Sequence, residues 1–269
     1  MRFICRQCGT QFADGDAPPA ACPICEDERQ YVRWDGQDWL TLDDLKRDHR
    51  IEVADEAEGV TGFGIAPAFA IGQRALLLRS PAGNVLWDCV SLVTDAAIAE
   101  VEKRGGLAAI AISHPHYYSS MVEWSDAFGG VPIYLHEDER TWVMRPAPAI
   151  RFWSGETHVL NRAMTLIRCG GHFPGGQVLH WGAALGGKGA LFTGDIVMVA
   201  QDRRWLSFMY SFPNHIPLNR PAVERIAAAL EPFAYDAVFG AWWDKVCRTN
   251  GKAALARSVA RYLKAISSE

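Results

Sequence analysis

Short apolar runs broken by glycine, proline and asparagine recur from residue 74 to the end of the chain. Residues 74–79 (RALLLR) and 84–89 (NVLWDC) read as strands, and the Ser-Pro-Ala-Gly between them as a hairpin turn. Further strand-like runs are 107–113 (LAAIAIS), 131–135 (VPIYL), 164–168 (MTLIR), 177–182 (QVLHWG), 189–193 (GALFT) and 236–240 (DAVFG), with a tight turn at 186–189 (GGKG). Helical spacing appears after Thr94, at Ala97, Ile98 and Val101, and Gly105-Gly106 ends it. Asn219 as N-cap, with Pro221 close behind, opens a helix through Leu230. A terminal helix spans 251–266, with Leu255, Val259, Tyr262 and Leu263 on one side. Hairpins followed by strand–helix–strand alternation predict a mixed α/β fold with helix-covered sheets.

The first part of the chain is patterned differently. Residues 26–58 are rich in charge, carry Trp34 and Trp39, and read as a connector with one short helix from Thr41. The expected organisation is a small module with its connector over 1–50 and a large domain over 51–269.

Composition narrows the function. Hydrophobic residues at 49% and charged residues at 22% exclude a disordered chain or a fibre. Lys+Arg 27 against Asp+Glu 31 leaves −4, which argues against a nucleic-acid partner. No apolar run reaches the roughly 18 residues of a membrane helix, so no membrane partner is expected either. MRFICRQCG lacks the apolar segment of a signal peptide, so the expected location is cytoplasmic. A small-molecule substrate is the expected partner, and the oligomeric state is unknown from sequence.

Four of the seven cysteines fall early, as Cys5-x2-Cys8 and Cys22-x2-Cys25. Each pair presents two thiolates on one tight turn, and two pairs complete a tetrahedral metal site. Gly9 and Pro23 suit those turns. The wording CRQCG and CPIC resembles a rubredoxin knuckle pair as well as zinc ribbons in general. Zinc would make it a structural clip, and iron a one-electron site. Cys89, Cys169 and Cys247 stand singly and read as small packing residues.

Three loops follow strand-like runs in the large domain: Ser113-His114-Pro115-His116 after LAAIAIS, Gly170-Gly171-His172-Phe173-Pro174-Gly175-Gly176 after MTLIR, and Thr193-Gly194-Asp195 after GALF. Loops beyond strand ends are where α/β proteins usually place their sites. In order and context these loops resemble the HxHxDH, GHTPG-type and TGD loops of the metallo-β-lactamase superfamily, over roughly residues 60–245. ISHPHYYSSMVEW also looks like a branch of that superfamily found in bacteria and plants. The resemblance implies an αββα sandwich with the ribbon appended at its N-terminus.

The departures from the family pattern are selective. Tyr118 stands where the family's HxHxDH has Asp, and Ser119 where it has the following His. The late strand ends Phe239-Gly240-Ala241-Trp242-Trp243, without the family's last His. The resemblance thus implies that the first-metal ligands His114, His116 and His172 and the bridging Asp195 are kept, while every ligand exclusive to the second metal is gone. A mononuclear site is expected, with zinc or iron as the ion. Such a site suits hydrolysis of an ester, thioester, lactone or amide, and disfavours two-metal phosphodiester cleavage. Asp195 would ligate the ion or orient water, Tyr118 would donate a hydrogen bond to an oxyanion, and His215 would carry protons. The alternatives are a non-haem iron oxidoreductase with a rubredoxin-like electron site, and a non-catalytic binding protein stabilised by metal. Trp205, Phe208, Tyr210, Phe212, Trp242 and Trp243 read equally as cleft lining and as core or dimer surface.

Overall fold

The hairpin expected at 74–89 forms: Ala75–Leu78 and Val85–Trp87 pair antiparallel, with Leu77 opposite Leu86. These strands belong to a computed structural model that describes residues 1–267. The chain divides into two compact units. One comprises Met1–Leu135 with Arg140–Phe152, the other His136–Glu139 with the chain from Trp153 onward.

A seven-stranded sheet runs Ile150–Trp153, Ile133–His136, Ala109–Ala111, Val85–Trp87, Ala75–Leu78, Val60–Ala66, Arg50–Ala57. Its inner strands are continuous buried runs, as the apolar runs predicted. Val85–Trp87 and Ala109–Ala111 are parallel, so the chain crosses over between them. The crossover is the helix Asp95–Lys103, whose N-cap Thr94 accepts from the amide of Ala97.

The connector is more structured than its charge suggested. Helix Leu42–Asp48 starts at Thr41 with a full capping box to Asp44. Arg50–Ala57, however, is the edge strand of the large sheet, mostly solvated along its length. Charges along a sheet edge guard it against pairing with other chains, and they also hide the strand from an apolar-periodicity reading. Glu56 on this strand forms a buried ion pair with Arg74 at 2.8 Å.

The second unit carries a six-stranded sheet: Thr157–Val159, Met164–Arg168, Gln177–Trp181, Ala190–Gly194, Ala237–Gly240, Val246–Cys247. Helices Arg220–Leu230 and Gly251–Ile266 pack on it through Val223, Ile226, Leu230, Ala254 and Leu255, against Ile167, Val178, Leu191 and Val238. Each of the large aliphatic side chains buried there stabilises the fold by about 1.5–3 kcal/mol. Phe208 lies in this core, edge-on to Tyr262, so that part of the late aromatic cluster is packing.

The cysteine-bearing segment lies within the first unit. Strand Arg2–Cys5 is flanked by Gln11–Asp14 and Trp39–Thr41 in a small antiparallel sheet. Its exit from the first knuckle is tied to two other loops. Ser91 Oγ donates to the Gly9 carbonyl at 2.7 Å, and the Gln11 amide donates to the Ser119 carbonyl at 3.0 Å. Arg2 and Arg145 both reach Glu123 at 2.9 Å. Gly9 has φ +80°, and a Cβ there would lie 2.5 Å from Ser91 Oγ. Replacing Gly9 with Ala therefore combines left-handed backbone strain with loss of a buried hydrogen bond. The expected loss is about 2 kcal/mol. Urea denaturation of Gly9→Ala checks this, and a midpoint equal to wild type refutes it.

Candidate functional site

The four early cysteines converge. Sulfurs of Cys5 and Cys25 lie 3.6 Å apart, as do those of Cys8 and Cys22, and all four are buried. A disulfide needs about 2.05 Å, whereas a tetrahedral ion with bonds of about 2.3 Å has sulfur–sulfur edges near 3.8 Å. The arrangement fits an ion. The first knuckle closes with the Gly9 amide on the Cys5 carbonyl at 2.8 Å, the second with the Cys25 amide on the Cys22 carbonyl at 2.9 Å. Pro23 begins the single helical turn Pro23–Glu26 in the second. Phe12 and Ile24 coat the cluster, with Trp39, Trp142 and Met144 against them. Gln37 Nε2 donates to Cys5 Sγ at 3.2 Å. Hydrogen bonds from Cys22, Cys25 and Cys8 hold the Cys5 thiol well below its ordinary range, and contact with Cys22 pushes Cys8 up. Thiols crowded in this way favour sharing charge with a cation.

His114 and His116 sit on the loop after strand Ala109–Ala111, across the short 3-10 turn Pro115–Tyr117. Their rings are 5.0 Å apart at 72°, and Tyr117 packs edge-on to His114 at 4.7 Å. His114 Nδ1 is 3.0 Å from Ser113 Oγ. If the hydroxyl accepts there, Nε2 is left as the ligand atom. The Ser113 amide donates to Asp88 Oδ1 at 2.7 Å. Asp88 is fully buried at the end of the hairpin, with φ +58°, and burial pushes its carboxyl up to about 7.

The His172 loop is built on glycine. Cys169 and Gly170 amides both donate to the Gly176 carbonyl, at 2.8 and 2.9 Å, which closes the loop on itself. A Cβ on Gly171, at φ +82°, would stand 2.8 Å from Ile226, and one on Gly176 2.6 Å from Ile196. The close approach of helix Arg220–Leu230 thus requires glycine at 171. His172 Nδ1 is 3.2 Å from the Met209 carbonyl. A carbonyl only accepts, so this bond puts the proton on Nδ1 and makes Nε2 the atom that would ligate a metal. Asp195 follows strand Ala190–Gly194, where Thr193 Oγ1 donates to the Val197 carbonyl at 2.9 Å.

His114, His116, His172 and Asp195 form one buried group, each offering a ligand atom within 4.8 Å of the others. Three imidazoles and a carboxylate are a sufficient shell for zinc or another first-row divalent ion, so the donor set fits a metal. Among the described residues the group has no fifth member. Tyr118 is buried beside Thr10, Gln11 and Met144. His215 lies outside the group, exposed at the turn between Met209–Ser211 and Ile216–Pro217 with φ +56°.

No family model matches the chain. It is 48% identical to the uncharacterized protein YmaE of Bacillus subtilis (strain 168), over 99% of this chain and 97% of that one. The chain belongs to the YmaE family. Solved structures similar to this YmaE-family chain are metallo-β-lactamases. DIM-1 metallo-β-lactamase has a TM-score of 0.61 at 14% identity, covering 80% of this chain and 98% of its own. A B3 metallo-β-lactamase with an active-site glutamic acid gives 0.54 at 17%, covering 86% and 97%. One from Cronobacter sakazakii gives 0.53 at 16%, covering 82% and 95%. The fold is that of the metallo-β-lactamases, as the loop motifs implied.

Asp88 and Ser113 escaped the sequence reading. The available signal was a carboxylate ending the apolar run NVLWD. Because the folded-state pKa of Asp88 is raised, its contribution is fully present below about pH 4 and is lost as pH rises toward 7. Asn at this position keeps an acceptor for Ser113 and never ionises. In chelator-treated protein, the stability of Asp88→Asn relative to wild type should therefore rise between pH 4 and pH 8, by on the order of 4 kcal/mol. Urea titrations across that range check the sign, and a pH-independent difference refutes it.

Proposed function

We propose that this YmaE-family protein is a mononuclear metal-dependent hydrolase acting on an ester, thioester, lactone or amide. The observation that carries this is the group of His114, His116, His172 and Asp195, kept while the positions of the second metal's ligands hold other residues. Zinc held there would lower the pKa of a water and polarise a carbonyl.

The chain's own residues orient the ligands. Met209 and Ser113 hold the imidazoles of His172 and His114 through Nδ1. Asp88 fixes the loop of His114 through its backbone. Asp195 supplies the carboxylate, as a weak ligand or as the acceptor that aims water at the substrate. The buried Tyr118 is the candidate hydrogen-bond donor to an oxyanion and the exposed His215 the candidate proton carrier, and Tyr118→Phe and His215→Gln test the two roles. The four-cysteine site is proposed as structural zinc. Its support is the apolar coat and the brevity of a segment with little core of its own.

Elemental mass spectrometry of protein purified without added metal tests the assignment. The expected result is about two zinc per chain, with one lost in Cys5→Ser/Cys8→Ser and a different one lost in His116→Ala. A screen of activated acyl esters, thioesters and lactones should then show turnover that falls roughly 100-fold or more in His116→Ala. Iron with a visible spectrum would replace hydrolysis with electron transfer. Metal in the cysteine cluster alone would refute the enzyme and leave a binding protein.

A further inference from the structure

In the second unit, four arginines surround one concavity. Arg203, Arg204, Arg248 and Arg257 line a cavity of about 520 Å³ with no acidic side chain on its wall. The volume lies within the 300–1,000 Å³ of small-molecule sites. The concentration stands out in a chain whose net charge is −4.

Sequence and backbone bring these cations together. Arg203 occupies the turn between Met198–Val199 and Leu206–Ser207 with φ +61°, a conformation arginine rarely adopts. Arg257, on the terminal helix, donates to the Arg204 carbonyl and lies over the Trp205 ring at 5.6 Å. Arg261 stacks on the same ring at 3.7 Å. Arg248 follows strand Val246–Cys247, which ends where helix Gly251–Ile266 begins. That helix start already has one acid, since Asp236 accepts from the Asn250 amide at 2.6 Å. Two carboxylates pair loosely with the lining: Asp244 with Arg203 at 3.6 Å and Asp202 with Arg204 at 3.4 Å. Both pairs are solvated, a setting in which ion pairs contribute about 0–1 kcal/mol, so a multiply charged anion can displace them at small cost.

We infer that this concavity binds a small molecule carrying two or more phosphate groups, such as a nucleoside di- or triphosphate. Guanidinium forks match phosphate oxygens bidentately, and several around one cavity suit a multiply charged anion better than a single carboxylate. Trp205, next to Arg204 in the chain and partly exposed, holds both Arg257 and Arg261 over its ring. The inference stands independently of the reading of the histidine group.

Isothermal titration of the full chain at low salt, with pyrophosphate and with ATP, tests it. The expected result is about one equivalent bound, with affinity falling at least tenfold in Arg203→Gln/Arg248→Gln. Affinity should also fall as salt rises. Binding should persist in His116→Ala, which separates this site from the metal group. It should tighten severalfold in Asp244→Asn, which releases Arg203; a variant that merely misfolded would not do this. The assignment is overturned by absence of saturable binding, by loss in His116→Ala but not in the arginine variant, or by citrate binding as tightly as pyrophosphate. A single-stranded oligonucleotide binding where ATP does not would overturn it in favour of a polymer site.

Discussion

Four buried thiol sulfurs, paired at 3.6 Å inside an apolar coat, are the constraint on which the N-terminal segment depends. A segment of this length has little core of its own, and an ion held at its centre would substitute for one. The consequences extend to the histidine loop. The first knuckle exits through Gly9 and Gln11, whose backbone groups bond to Ser91 and Ser119. Ser120 Oγ in turn donates to the Ser91 carbonyl at 2.8 Å. The turn that carries His114 and His116 is thus continuous, through short buried hydrogen bonds, with the cysteine cluster.

The two units present their ligands by different means. In the first, a buried carboxylate on a hairpin end holds a backbone amide next to His114. In the second, a glycine loop folds back on itself so that a helix can press against the His172 backbone. In both, the imidazole Nδ1 has an oxygen neighbour, which would leave Nε2 as the ligand atom. Preorganisation of this kind costs backbone strain at Asp88 and reliance on glycine at 171, which tight surrounding packing makes sustainable.

The inner strands were legible because burial on both faces produces unbroken apolar runs, as at Val85–Trp87 and Ala75–Leu78. The helices at Thr94, Asn219 and 251–266 were legible from caps and spacing. The edge strand Arg50–Ala57 was not, because its charges serve the solvent and the Arg74 pair rather than a core. Metal-ligand candidates were legible because His, Cys and Asp at family spacings are specific chemistry. Asp88 was illegible because its role lies in a bond to a backbone amide, and a backbone amide has no sequence signature.

Ser119 shows how the pieces are exchanged for one another. Its backbone is left-handed at φ +44°, its carbonyl receives Gln11, and its hydroxyl meets Gln73 at 3.0 Å and the Cys89 carbonyl at 3.3 Å. The metallo-β-lactamase pattern puts a second-ion histidine at this position. An imidazole on this backbone would displace the Gln73 and Cys89 contacts beside the Gln11 bond that holds the cysteine segment. The residue that stands in place of a family ligand is thus also one that anchors the N-terminal segment, so histidine at 119 would weaken that anchorage.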